Sequence, residues 1–172
     1  MLPKQVVRYE QLINEGLKKK EIETLFTSLK LFPTPFKGIY YVPLEIERKG
    51  GFIGKPLLVL SRATEHYLKS KNFYFSCVTA EEQYGIQWQP SGQVHIVNDK
   101  LSKRINLKER IGRNKSKKTA RAKKIAKLLS LYGYEILLHK AKSFRGCRFR
   151  ETPYGRFAAR SQIRIDKKRF RC

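Results

Sequence analysis

The sequence predicts an α+β protein. A helix-turn-helix (winged-helix-like) module is expected over residues 1–44, a linker over 45–56, and a mixed α+β domain with a strongly basic C-terminal half over 57–172. Three observations predict it. Apolar residues recur at helical spacing in some segments and at strand spacing in others. Gly and Pro clusters separate those segments. Apolar residues make up 41 % of the chain and aromatics 12 %, enough to build a core in a chain of 172 residues.

The elements follow in order. VVRYEQLIN (6–14) sets Val6, Tyr9 or Glu10, and Ile13 on successive turns, with Leu12 beside them, and predicts a helix that Gly16 ends. KKKEIETLFTSLKLF (18–32) spaces Ile22, Leu25, Phe26 and Leu29 as one helical face. This second helix opens on Lys18, Lys19 and Lys20 and stops before Pro33 and Pro35. Two helices joined by a short turn containing Gly fit a helix-turn-helix, and KGIYYVP (37–43) follows as a strand suited to a wing. An ordinary helical hairpin over a core fits the same pattern. IERKGGFIGKP (46–56) reads as a linker. Its Gly54–Lys55 pair does not make a phosphate-binding loop, because Lys49 stands at the first glycine position and Pro56 replaces the Ser or Thr that would hold magnesium.

PLLVLSRATEHYLKS (56–70) predicts a helix with Leu57, Leu60, Thr64 and Leu68 on one side. KNFYFSCVT (71–79) is aromatic and β-branched, a buried strand. TAEEQYGI (79–86) has Thr79 three residues before Glu82, the spacing of a capping box. QVHIVND (93–99) alternates as a strand, and KRINLKERI (103–111) extends the sheet. A basic helix is expected over 113–132, with Ala122, Ile125, Ala126, Leu129 and Tyr132 as its apolar stripe and Gly133 just past its end. YEILLHKA (134–141) and FAARSQIRI (157–165) are read as strands.

Lys and Arg total 38 against 14 Asp and Glu, a net charge of +24. Residues 103–172 hold 24 of the basic and 4 of the acidic residues. Charge of that density opposes compaction, and a polyanion is the simplest counterpart. Nucleic acid is the expected one, with phosphates releasing counterions as lysines and arginines replace them. The candidate contact residues are Lys18, Lys19, Lys20, Arg113, Lys115, Lys117, Lys118, Arg121, Lys124, Arg145, Arg148, Arg150, Arg156 and Arg160. Phe144, Phe149, Tyr154, Phe157 and Phe170 lie among the tail arginines. They would stack on unpaired bases in an RNA-binding alternative, or fill a small core. Removing everything after Lys103 is expected to weaken binding to all sequences and flatten its salt dependence.

No apolar run approaches the roughly 18 residues of a membrane span, and the N-terminus shows no secretion signal. A cytoplasmic protein is expected, with Cys77, Cys147 and Cys172 as three reduced thiols. Their separation from one another, and from His66, His95 and His139, gives no metal-ligand spacing, so no metal and no cofactor are expected. The dense acidic and imidazole pairs, Glu65–His66 and Glu81–Glu82, are adjacent in sequence and diverge on a helix. No catalytic residue is assigned. A metal-dependent nuclease that uses Glu135 or Glu65 is the enzymatic alternative.

KGIYYVP after a two-helix unit resembles the wing of abortive-infection type IV antitoxins, the AbiEi-like family of transcriptional regulators. NFYFSCVTAEEQYGI resembles that family's central signature through Phe73, Tyr74, Ser76, Thr79, Ala80, Tyr84 and Gly85, and QVHIVNDKLSKRI resembles its next strand and basic turn. The resemblance covers residues 4–111. It implies a DNA-binding repressor or antitoxin with a nucleotidyltransferase-like toxin as partner. The chain departs from the family in having two N-terminal helices where three are usual, in its basic segment 113–132, and in lacking a Glu-Lys-Thr-like motif after the last strand. Duplex DNA binding is therefore the leading expectation. A homodimer would suit a palindromic operator, although no heptad pattern is present.

Overall fold

A computed structural model describes residues 5–172; the first four residues of the expected N-terminal module lie outside the described residues. The elements in chain order are β1 (Val6–Arg8), α1 (Tyr9–Asn14), α2 (Lys19–Thr27), β2 (Phe32–Pro33), β3 (Ile39–Tyr41), α3 (Glu45–Gly50), α4 (Pro56–Leu68), β4 (Phe73–Ser76) and α5 (Cys77–Gln83). They continue with β5 (Gln93–Asn98), β6 (Lys103–Asn106), α6 (Leu107–Ser116), α7 (Ala120–Ser130), β7 (Glu135–Lys140), β8 (Phe149–Thr152), β9 (Gly155–Ala158) and α8 (Arg160–Phe170). The protein is α+β, with two separate sheets among the described residues. No helix among them is long and apolar enough to cross a membrane.

The chain divides into two compact units, and both are discontinuous. Residues 1–69 and 108–132 form the first; residues 70–107 and 133–172 form the second. The basic segment expected to continue one C-terminal domain instead belongs with the N-terminal unit. By sequence the first unit holds 22 Lys and Arg against 8 Asp and Glu, and the second 16 against 6. The single basic half expected from the sequence is thus shared between two bodies.

In the first unit, β3 lies between β1 and β2, antiparallel to both. Val7, Leu12, Ile22 and Leu31 form a buried cluster, with Leu25, Phe26 and Tyr40 packed against it. The α1–α2 turn passes through Gly16 at φ +94°, a conformation that a side chain would strain. Where a linker was expected, 45–50 is the helix α3, and its Glu47 is buried. That carboxylate accepts hydrogen bonds from Tyr41 Oη (2.5 Å), the Leu44 amide (2.9 Å) and the Gly54 amide (2.8 Å), which ties down the glycine-rich segment. The expected first helix begins three residues late, because Val6–Arg8 pair with β3. The expected single helix over 113–132 is two helices. Thr119 breaks it by capping α7, its Oγ1 accepting from the Ala122 amide at 3.3 Å.

The second unit is a six-stranded mixed sheet in the order β6-β7-β5-β4-β9-β8. β5 runs parallel to β7 and antiparallel to β4, so His95 stands beside Leu137, and Val97 beside His139. Gly133 permits a close crossing here, since a Cβ on it would lie 2.8 Å from the Gly92 carbonyl oxygen. The expected strand over 157–165 is a strand to Ala158 followed by α8. α8 packs against α5 and β4 and buries Gln162, Ile163 and Asp166. Cys77 and Cys172 form a disulfide across 95 residues, which corrects the expectation of three free thiols; Cys147 alone is free.

Candidate nucleic-acid interface and thiol–imidazole cluster

The first unit presents its charge chiefly on α6, α7 and the connector between them. α7 buries Ala122, Ile125, Ala126, Leu128 and Leu129, so its apolar stripe faces the unit's core. Helical geometry then turns Arg121, Lys123, Lys124 and Lys127 outward, and all four are exposed. On α6, Leu107 and Ile111 are buried while Arg113 and Lys115 are exposed, and Lys117 and Lys118 extend the patch across the connector. Arg113 pairs with Glu109. Among the described residues no ion pair engages Lys115, Lys117, Lys118, Lys123, Lys124 or Lys127. Six lysine charges thus face solvent along two consecutive helices and the connector between them.

α2 adjoins this surface. The Arg121 guanidinium lies over the Phe26 ring, 5.5 Å from its centroid, and so ties the start of α7 to α2. Lys18, Lys19 and Lys20 are exposed at the opposite end of α2. Their field is diluted: Glu21 accepts from the Lys18 amide at 2.6 Å, and Glu23 is exposed on the same helix. An acid in the first turn favours the helix but weakens α2 as a phosphate contact.

The second unit's candidates are less uniform. Arg145, Arg148 and Arg150 are exposed, and Arg160 is exposed with its guanidinium 6.0 Å from the Tyr84 ring centroid. Arg156 is already engaged: it donates to Glu151 at 2.6 Å and to the Lys71 carbonyl at 3.1 Å, and covers the Phe149 ring. Four of the five tail aromatics, all but Tyr154, pack against other rings. Phe144 and Phe149 lie 5.5 and 5.7 Å from Tyr74, Phe157 is fully buried against Phe75, and Phe170 stacks on His139 at 4.8 Å. Base stacking by these rings would require unpacking them. The most exposed aromatic is Trp88, at 85 %, in the loop before β5; sequence reading did not single it out.

The nuclease candidates Glu135 and Glu65, and the Glu81–Glu82 pair, have different surroundings. Glu135 is 5 % exposed, pairs with Arg104 and accepts from Gln93 Nε2 at 3.1 Å. Glu81 pairs with Lys167, and Glu82 accepts from the Ser91 amide. Glu65 and His66 line a cavity of about 650 Å³ with Gln5, Glu15 and Arg62. Burial, followed by the nearby Arg8 charge, holds His66 below the usual imidazole range. Neither Glu65 nor Glu135 belongs to a group of potential metal ligands among the described residues.

A group of that kind does occur under α8. Cys77 Sγ, Cys172 Sγ and a ring nitrogen of His95 lie within 4.8 Å of one another. Cys77 opens α5 in the left-handed region, φ +53°, and is fully buried. Its neighbour Ser76 donates to Asp166 Oδ2 at 2.6 Å, and Gln162 Nε2 donates to Oδ1 at 2.8 Å, so the buried carboxylate joins β4 to α8. His95 Nδ1 and His139 Nε2 are 2.9 Å apart with their rings stacked. Burial first, then the His139 charge, pushes the His95 imidazole down to about 4. Thr79, expected to cap a helix, instead accepts the His95 amide through Oγ1 at 2.8 Å. The sequence spacing gave no sign of this cluster, because its members arrive from β5, α5 and the end of α8.

No family model matches the chain, and no curated protein or solved structure is detectably similar to it.

Proposed function

We propose that the protein is a DNA-binding regulator without catalytic chemistry of its own, which grips the phosphates of duplex DNA through α6, α7 and their connector. One observation carries this reading: six exposed lysines, none in an ion pair among the described residues, fall between Lys115 and Lys127 on α6, the connector and α7, and the leucines and isoleucines of the two helices are buried. Such a surface gains by counterion release and needs no base contact for affinity. In this reading α2, fastened to α7 through Arg121 and Phe26, is the element that enters the major groove, and β2 and β3 serve as the wing. The motifs at 37–43 and 73–85 support an antitoxin-like role with a toxin as partner. Duplex binding is favoured over RNA because four of the five tail rings pack against other rings.

Mobility shift with a labelled duplex, competed by unlabelled duplex, single strand or structured RNA, tests the proposal. Duplex is expected to compete best. Displacement by RNA at lower concentration than by duplex would replace this reading with the RNA-binding one.

A further inference from the structure

We propose that Cys77, Cys172 and His95 form a redox-gated site for a thiophilic divalent cation, zinc by its donor set, open when the Cys77–Cys172 bond is reduced and closed when it is oxidised. The inference is independent of the nucleic-acid reading.

Geometry supplies the first argument. The three ligand atoms already lie within 4.8 Å of one another. Thiolates about 2.3 Å from a tetrahedral zinc stand roughly 3.8 Å apart, so opening the disulfide needs only a modest separation of the sulfurs. The Cys77–Cys172 Cα distance, 6.0 Å, accommodates both states. Cys77 opens α5, His95 lies on β5, and Cys172 follows α8, where its amide donates to the Lys167 carbonyl at 3.2 Å. Cys77 is fixed by its left-handed backbone, a conformation unfavourable for a residue with a side chain that persists where its surroundings enforce it. His95 sits on a central strand, paired with β4 and β7.

The surroundings supply the second. The His95 Nδ1 contact with His139 Nε2 leaves His95 Nε2 as the ligand atom. A metal-bound imidazole is ordinarily oriented by a hydrogen bond at its other nitrogen, and His139 provides that partner. His139 is therefore a positioning residue, and the fourth coordination place goes to water. Two thiolates and an imidazole suit zinc over magnesium or calcium, which prefer oxygen ligands. Two thiolates also neutralise the ion's charge inside an otherwise cationic protein.

The redox step balances with a dithiol as reductant. Its thiolate attacks Cys172, the residue of the pair that is partly exposed, and Cys77 leaves as thiolate. The reductant's second thiol then closes on the mixed disulfide and releases Cys172. Two electrons and two protons pass from the dithiol, which becomes a cyclic disulfide. Zinc binding then displaces the protons from the two protein thiols.

Cobalt(II) is the probe, added to the full chain after reduction and removal of reductant. The reduced protein is expected to bind one ion, with a sulfur-to-cobalt charge-transfer band and the strong visible bands of a tetrahedral site. Added zinc should bleach both. The oxidised protein should show neither. Cys172→Ser should lose most of the charge-transfer intensity, His95→Ala should weaken affinity at least ~10-fold and His139→Ala about 10-fold, and Cys147→Ser should change nothing. A folded, reduced chain without the band, a band that survives Cys172→Ser at full strength, or equal binding by the oxidised chain would overturn the proposal. If reduction unfolds the protein, zinc is expected to restore its circular dichroism only while Cys172 and His95 are present. Failure of zinc to do so would also overturn it.

Discussion

Replacing Lys117, Lys118 and Lys124 together by Gln probes the basic surface with little risk to the fold. All three are exposed and engage no ion pair among the described residues. Gln keeps the polar stem and a comparable helix propensity, so stability should stay within about 0.5 kcal/mol per site. Each lysine that neutralises a phosphate adds about 0.9 to the slope of log affinity against log salt. Three lost contacts should flatten that slope by roughly 2.7. Between 50 and 200 mM salt, the wild type should then lose about 40-fold more affinity than the variant. Fluorescence anisotropy with a labelled duplex over a salt series reads the slope directly. An unchanged slope in a variant that remains folded would refute the assignment of phosphate contacts to this surface.

Further outcomes follow from the buried groups. Glu47→Ala strips the acceptor from Tyr41 Oη and from the Leu44 and Gly54 amides, and should cost about 3 kcal/mol or more in urea unfolding. Tyr132 Oη is buried without a hydrogen-bond partner among the described residues, so Tyr132→Phe should be neutral or stabilising by about 1 kcal/mol. Burial raises the Tyr132 phenol above its ordinary value of 10.0. The unfolded chain alone then releases that proton above pH 10, so its contribution is full below pH 10 and is lost as pH rises; Tyr132→Phe should reduce this alkaline loss in a pH series of melting curves. Reducing the Cys77–Cys172 bond in the absence of metal releases a long loop and should cost up to about 4–5 kcal/mol by the chain-entropy relation. Reductant should have no further effect on the melting temperature of Cys172→Ser.

Elements that bury one apolar face were legible in the sequence. β5 and β7 form as the expected strands and α4 follows its apolar spacing, but β5 does not alternate, because every residue from Val94 to Asn98 is buried, His95 and Asn98 included. α8 was missed for a physical reason: its buried face is made from Gln162, Ile163 and Asp166, and two of the three are polar residues that apolar periodicity ignores. Ile163 and Ile165, two apart, mimicked a strand, yet Ile163 is buried and Ile165 is 57 % exposed. The break before α7 could have been read from Thr119, a good N-cap three residues before Ala122. The division into units could not, because the α6–α7 insertion leaves the second unit's sheet after β6 and returns at β7. That topology also disposes of truncation after Lys103 as a test of charge. It would remove β7, which flanks β5 within the sheet, together with α6 and α7, so substitution is required. The candidate lysines were visible from composition. The convergence of Cys77, His95 and Cys172 is purely tertiary and left no local trace.

Lysine acetylation footprinting with and without duplex DNA, read residue by residue by mass spectrometry, meets the phosphate-binding surface most directly. Protection of Lys115, Lys117, Lys118, Lys123, Lys124 and Lys127, joined by Lys19 and Lys20 of α2, is the expected result, with Lys55 and Lys142 remaining reactive. DNA that binds yet leaves those six as reactive as before, or protects lysines without regard to position, would contradict it.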